Sequence, residues 1–466
     1  MTKSSMKFKL KVPDTYVLLF LIILVAALAS WLLPAGEFQR TENAAGRLTI
    51  IPGTYHNIAQ TPVMPFDTLI AVEKGLINAA STVFFVFISY ASLMIIIASG
   101  AIHAGISRML QMTRDKYRIF IIPIFVFLFA FAGGTYGMFE EALSFTPIFV
   151  GLAIALGYDA VTGMAIVAMG VGLGYSGSFT NPFNVGIAQQ FAELPLFSGI
   201  AYRLFCWFVM CTTSVALIMH YAIKVKRNPQ SSAVYGIECG DFGLDQSHLA
   251  NLEMTGRHKL ILLTGGATIV IMVISVLKWG WYLDELAGLL LGMGILCGFI
   301  AGWGPDKIAK TMAAGFKDIA YGAMMIGIAR GILIILQQGN IVDTVINGMF
   351  IPLSTMPKWL AGIGMLFVQT LINFFIPSGS GQAATTMPIM APLSDLLGIS
   401  RQVAVLAFQF GDGLSNILWP TAFAAVFCGV ANIPYAKWMK WFIPRFCIIF
   451  CIQAALIVIA IMIDYR

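Results

Sequence analysis

Long apolar runs separated by short polar breaks extend through the whole chain. Windows of about 18–20 residues at 15–34, 82–99, 204–223, 260–277, 286–303, 319–338, 360–377 and 446–463 carry at most one charge each, so each is long enough as a helix to cross a hydrocarbon layer of about 30 Å. A shorter run, 119–132, passes directly into a Gly-rich stretch. The pattern predicts an all-α polytopic membrane protein.

Two stretches depart from this pattern, 133–203 and 377–440. Each is apolar but crowded with Gly, Ser and Thr, has a proline near its middle, and continues into a helix-length run broken by Asn. Their landmarks keep one spacing: Pro147 precedes Pro388 by 241 positions, Gly157 precedes Gly398 by 241, Pro182 precedes Pro420 by 238 and Pro195 precedes Pro434 by 239. In hydrocarbon every backbone N–H and C=O needs a partner, so such breaks are tolerated only inside protein or beside a wet cavity. Matched interrupted segments in two halves point to a central binding site.

The organisation expected is a first repeat over 1–223, a hydrophilic linker over 224–259 and a second repeat over 260–466. Each repeat is expected to hold a re-entrant helical hairpin, at about 133–157 and 376–398, followed by a broken transmembrane helix, at about 160–191 and 401–431. Inversion of one repeat against the other is expected, since paired broken helices are the usual product of inverted repeats. One span, 260–277 or 286–303, has no counterpart in the first half.

Composition agrees with this reading, because 59% hydrophobic against 11% charged residues leaves too little polar surface for a soluble protein. The first apolar run is too long for a cleaved signal and lacks a small-residue cleavage site. Lys3, Lys7, Lys9 and Lys11 precede it against Asp14 alone, which puts the N-terminus on the cytoplasmic side of the membrane. Topology thus explains the net charge of +6, and no nucleic-acid partner is invoked. Residues 35–65 are expected as an extracytoplasmic loop with turns, 67–80 as an interfacial or half-inserted helix, and the basic 108–118, with Arg114 and Lys116, as cytoplasmic. The seven cysteines form no CxxC pair, and neither they nor the scattered histidines suggest a metal site.

Ionisable groups inside spans cost about 2.5–3.5 kcal/mol to insert and are functional candidates by default. Here they are Glu140 and Glu141, Asp412 and Arg330, with Asp159, Asp395 and Arg401 at the margins. Adjacent glutamates lie about 100° apart on a helix, so one faces a cavity while the other ties down the hairpin. Ser178, Thr180, Asn181 and Asn184 in the first break, and Ser415, Asn416 and Thr421 in the second, set hydroxyls and amides beside freed backbone; Ser378, Ser380 and Gln382 do so in the second hairpin. A half-helix N-terminus attracts a carboxylate and freed carbonyls attract a cation. An amino acid has both groups. A coupling ion is the one cofactor considered, a proton on Asp412 or Glu140, or sodium near Asn181 and Asn416.

Two enzyme-like strings compete. Gly174-Tyr175-Ser176-Gly177, with His220 in the next span, matches the GxSG of intramembrane serine proteases; Gly411-Asp412 lacks the upstream glycine of an aspartyl GxGD, having Gln409 there. A doubled architecture is foreign to either.

The strings PAGEF (34–38), PGTY (52–55), GMFEEALSF (137–145), GYDAVTG (157–163), NPFNVGIAQ (181–189), LPLFSG (194–199), PSGSGQAATTMPIMAPL (377–393) and FGDGLSNILWPT (410–421) resemble the YfcC family, in the DcuC-like branch of the ion transporter superfamily. The resemblance implies a secondary transporter, commonly a homodimer, that works by alternating access on a small-molecule substrate. It implies either basic amino acid exchange of the arginine/ornithine type or C4-dicarboxylate transport coupled to sodium or protons. Three acids in the two cores, with one arginine in the spans beside them, favour a basic or other amino acid over a dicarboxylate.

Overall fold

The computed structural model describes residues 13–42, 48–51, 53–112, 115–237, 239 and 253–466. The N-terminal lysines, Arg114 and the linker from 240 to 252 lie outside the described residues. The described residues form eighteen α-helices and two small antiparallel strand pairs.

Nine described helices are long and apolar enough to cross a membrane. The chain opens with α1 (Thr15–Leu32), whose N-cap Asp14 accepts the Tyr16 amide. Residues 35–65, expected as a loop with turns, form a ribbon instead: β1 (Gly36–Glu37) pairs with β4 (His56–Asn57), and β2 (Arg40–Glu42) pairs with β3 (Leu48–Ile50). Then follow α2 (Pro65–Asn78), α3 (Ala80–Ala98) and α4 (Ala101–Met112). The helix expected over 67–80, interfacial or half-inserted, falls on α2. Thr68, Ala71 and Gly75 make one small-residue face, and that face is buried.

Next come α5 (Ile121–Thr135), α6 (Glu140–Ala155) and α7 (Ala160–Ser176), then a break, a π-helical turn at Pro182–Gly186, α8 (Ile187–Phe191) and α9 (Ile200–Arg227). Beyond the linker lie α10 (Gly256–Trp279), α11 (Leu283–Ile300), α12 (Pro305–Gln338), α13 (Val342–Phe350), α14 (Lys358–Phe375) and α15 (Gly379–Leu396). The chain closes with α16 (Arg401–Ser415), α17 (Phe423–Val430) and α18 (Tyr435–Met462).

Lengths recur between the halves. Helices α1 and α11 have 18 residues each, α9 and α18 have 28 each, and α12 has 34. That last length is matched by α2 and α3 taken together through the single residue Ala79. Helix α10, with 24 residues, repeats none of these lengths.

The stretches expected as hairpins, 133–157 and 376–398, each contain one helix rather than two. Helix α5 continues through Gly133 and Gly134 to Thr135, and α14 ends only at Phe375, so the arm before each tip is the preceding apolar run. The arms α5 and α6 splay apart, with Phe129 wedged against Phe145 and Phe149 at ring distances of 6.0 and 5.1 Å. Both then pack on α7; likewise α14 and α15 pack on α16.

The joints into α7 and α16 have one design. Gly157 and Gly398 take φ of +81° and +63°, the left-handed conformation that closes a helix end and favours glycine. Tyr158 then donates its amide to Ala153 at 2.9 Å, and Ile399 donates to Ser394 at 2.8 Å. The next residues, Asp159 and Ser400, cap the following helices through the Thr162 and Val403 amides.

The halves meet where α7 crosses α16. A Cβ on Gly413 would stand 2.4 Å from the Cα of Ser176, so the two backbones touch. Around this crossing the buried guanidinium of Arg203 donates to the side-chain oxygens of Gln402 and Gln409, and Gln409 in turn donates to the Ser176 and Ser178 carbonyls.

Candidate functional site

Two tip loops and two helix breaks converge at the centre of the molecule. At the first tip, α6 starts without a side-chain cap from Phe139. Glu141 supplies the missing acceptor, since its Oε2 takes the Phe139 amide at 3.1 Å and the residue is buried. Glu140, one step round the helix, faces the cavity described below. At the second tip, Ser378 caps α15 by accepting the Gly381 amide.

Each break is sewn up by polar side chains. Asn181 Oδ1 accepts the amides of Phe183 and Asn184, and the Thr180 hydroxyl donates to Thr135 O. In the second break the Asn416 carbonyl accepts the Phe423 and Ala424 amides, both at 3.0 Å. Asn373 donates to Asp412 O, Ser415 Oγ and Asn416 Oδ1. The two breaks are also joined to each other: Asn184 Nδ2 donates to Asp412 Oδ2 at 2.5 Å, while Asn416 approaches Oδ1 at 3.4 Å.

These parts surround a cavity of about 190 Å³. Of the residues singled out in the sequence, Glu140, Glu141, Ser378, Ser380, Asn416 and Thr421 line it. Thr421 Oγ1 is buried there with no hydrogen-bond partner. Ser178, Thr180, Asn181, Asn184, Gln382, Asp412 and Ser415 stand behind the wall. Asn181 and Thr180 hold the first break, Asn184 and Asp412 hold each other, and the Ser415 hydroxyl is spent on Gly411 O. Gln382 donates to Gln369 at 2.6 Å. Ser178 lies fully buried, and its hydroxyl has no partner.

Arg330 of α12 lines the same cavity, as do Tyr175, Phe183 and Tyr282. The charge of Arg330 within a span signalled it in the sequence, but nothing there tied it to the two breaks. Tyr282 carried no signal: it sits in the short link between α10 and α11. Arg330 also borders a second chamber of about 380 Å³ beneath the β-ribbon, lined by Glu37, Arg40, Asn340 and Asp343. The guanidinium thus stands between the central cavity and this vestibule. Among the described residues no ion pair within 4 Å joins Arg330 to Glu140, and no group of three or more His, Cys, Asp or Glu side chains has the geometry of a metal site.

The serine-protease pairing does not assemble. The Ser176 hydroxyl donates to Phe410 O and accepts from Gln453. Tyr221, the neighbour of His220, binds Asp159 at the opposite end of the 17-residue α7, about 24 Å away at 1.5 Å per residue.

A polar cavity closed by broken helices inside a bundle of long apolar helices is the architecture of a membrane transporter. The comparison with protein families agrees: the model for DcuC, the C4-dicarboxylate anaerobic carrier, matches residues 12–462, and the chain belongs to that family. It is 30% identical to the Escherichia coli K12 protein named "Putative basic amino acid antiporter YfcC", over 94% of each chain. It is 27% identical, over 99% of each, to an uncharacterized protein of Haemophilus influenzae. Among solved structures, the YdaH transporter of Alcanivorax borkumensis aligns over 97% of this chain and 99% of its own at 15% identity, with a TM-score of 0.47.

Proposed function

We propose that this transporter exchanges amino acids with a cationic side chain across the bacterial inner membrane, and that the central cavity is its substrate site. The observation that carries the reading is the pair Arg330 and Glu140, a base and an acid on one cavity with no ion pair within 4 Å between them. A dicarboxylate needs only cations. A zwitterion needs both signs, held apart.

In this reading the substrate carboxylate meets Arg330 and the N-terminus of α15 at Ser378–Ser380, where helix amides and dipole favour an anion. Its cationic groups meet Glu140 and the faces of Tyr175, Phe183 and Tyr282, since aromatic faces attract guanidinium and ammonium groups. Thr421 offers its unpartnered hydroxyl. The name of the E. coli relative supports the same substrate class. The hairpins α5–α6 and α14–α15, as re-entrant elements, move with α7 and α16 against a scaffold of α1 and α10. The vestibule beyond Arg330 is one access route, and Glu140 is the candidate carrier of a coupling proton.

The second reading, a C4-dicarboxylate substrate, draws on two helix N-termini, those of α6 and α15, that open on the cavity beside Arg330. Counterflow in proteoliposomes separates the two. Labelled arginine is expected to enter faster against internal arginine or ornithine, and Glu140→Gln to abolish this while the protein stays folded. Succinate counterflow without an arginine signal, or full arginine exchange in Glu140→Gln, overturns the amino acid reading. Imposed proton and sodium gradients, applied in turn, identify any coupling ion. The dimer implied by the family resemblance predicts light scattering at about twice the 50.6 kDa chain mass.

A further inference from the structure

A second polar cavity, about 460 Å³, lies between the C-terminal turns of α9 and the N-terminal turns of α18, far from the central site. Lys224, Lys437, Lys440, Arg445 and His220 line it, and among the described residues no Asp or Glu does. Among the described residues, the carboxylate of Asp159 lies behind its wall and is already engaged by Thr162, Tyr221 and Ser232.

Three further features make this an incomplete site. Lys437 sits in the first turn of α18 and Lys440 just beyond, near the helix end whose dipole disfavours cations, so a bound anion would offset both repulsions. Trp441 is only 4% exposed, and its indole N–H has no partner. Arg445 stacks on Trp441 at 4.0 Å, yet its Nε is buried and also unpartnered. A polar cavity with four side chains that carry permanent positive charge and two orphan donors lacks an acceptor-rich anion.

We propose that this cavity binds the phosphate of an anionic phospholipid. A phosphate ester supplies the acceptors and the charge. The helices supply the reason for a lipid: both carry exposed apolar side chains, Phe208 on α9 and Ile443 and Ile448 on α18, along which acyl chains extend while the head group enters the basic pocket. Basic pockets between transmembrane helices on the cytoplasmic side are the usual form of such sites, and the cluster Lys224, Lys226 and Arg227 marks this end as the cytoplasmic one. Ser231 and Ser232 line the cavity as well, so an occupied site also braces the start of the linker.

The test is thermal unfolding of the purified full-length chain in a non-ionic detergent, with phosphatidylglycerol, phosphatidylcholine or inorganic phosphate added. Phosphatidylglycerol is expected to raise the unfolding temperature, and the other two are not. The Lys437→Gln/Lys440→Gln double variant should lose most of that shift with its lipid-free unfolding temperature unchanged. If the double variant folds poorly, Lys440→Gln alone, at an exposed side chain, should lose part of the shift. Native mass spectrometry should show one fewer retained phosphatidylglycerol in the variant. An equal shift in variant and wild type, no shift in the wild type, or equal protection by inorganic phosphate overturns the proposal.

Discussion

Asp412 and Gly379 show how much one atom decides at the residue scale. The Asp412 carboxylate accepts from an amide of each half, Asn184 and Asn416. Asp412→Ala strands both amides in a buried place, at about 1–3 kcal/mol for an unsatisfied group; a fall in thermal stability measures it. Asp412→Asn keeps the shape but replaces an acceptor by a donor, so a smaller loss is expected. Gly379, the first residue of α15, lies against the same carboxylate: a Cβ there would stand 2.6 Å from Tyr175 Oη and 3.1 Å from Asp412 Oδ2. Those are side-chain ends that can shift, so Gly379→Ala should fold and lose transport, read as counterflow at normal expression.

The outcomes of glycine substitution differ between elements. At Gly413 an added Cβ meets the Ser176 backbone at 2.4–2.5 Å, and neither helix can yield without parting the crossing. Gly413→Ala is therefore expected to abolish the monodisperse protein in size-exclusion chromatography, as over-packing at a rigid contact does. At Gly157 nothing lies within 4 Å of a Cβ, and only the left-handed backbone objects, at about 1–2 kcal/mol. Gly157→Ala should survive with a lowered unfolding temperature. The same reasoning applies to the ribbon. Arg40 binds both oxygens of the buried Asp343 carboxylate, which also takes the Phe38 amide. Asp343→Ala thus frees the ribbon over the vestibule.

For the whole molecule, Asp159 connects the start of the linker to α7. It caps α7 and receives the hydroxyls of Tyr221 and Ser232, while Val234 packs into the main apolar core. Asp159→Ala removes a helix cap, about 1 kcal/mol, and at the same time releases the strap formed by residues 232–237, which Ser232 ties to Asp159. Faster limited cleavage by chymotrypsin after Tyr235, relative to wild type, is the expected sign. Unchanged cleavage would mean that the apolar contacts of Val234 hold the strap alone.

Spans, and the landmarks shared by the two halves, were legible in the sequence because apolar run length and Gly/Pro/Asn punctuation are local properties. Proline and left-handed glycine restrict the backbone wherever they occur, so their spacing could be read without knowing what packs on them. The candidate residues were legible as a set for the same reason: polar groups in apolar runs stand out. Their division into those that line the cavity and those that hold its wall was not legible. Glu141 takes the Phe139 amide at its own helix end, and Asn181 spends its oxygen on two amides; these depend on which donors the folded neighbours bring near. Arg330 joined the site only because α12 passes the cavity, and Tyr282 only because the link after α10 reaches it. Sequence chemistry names the groups that cannot rest in lipid, whereas the tertiary structure decides which of them satisfy one another and which are left facing a ligand.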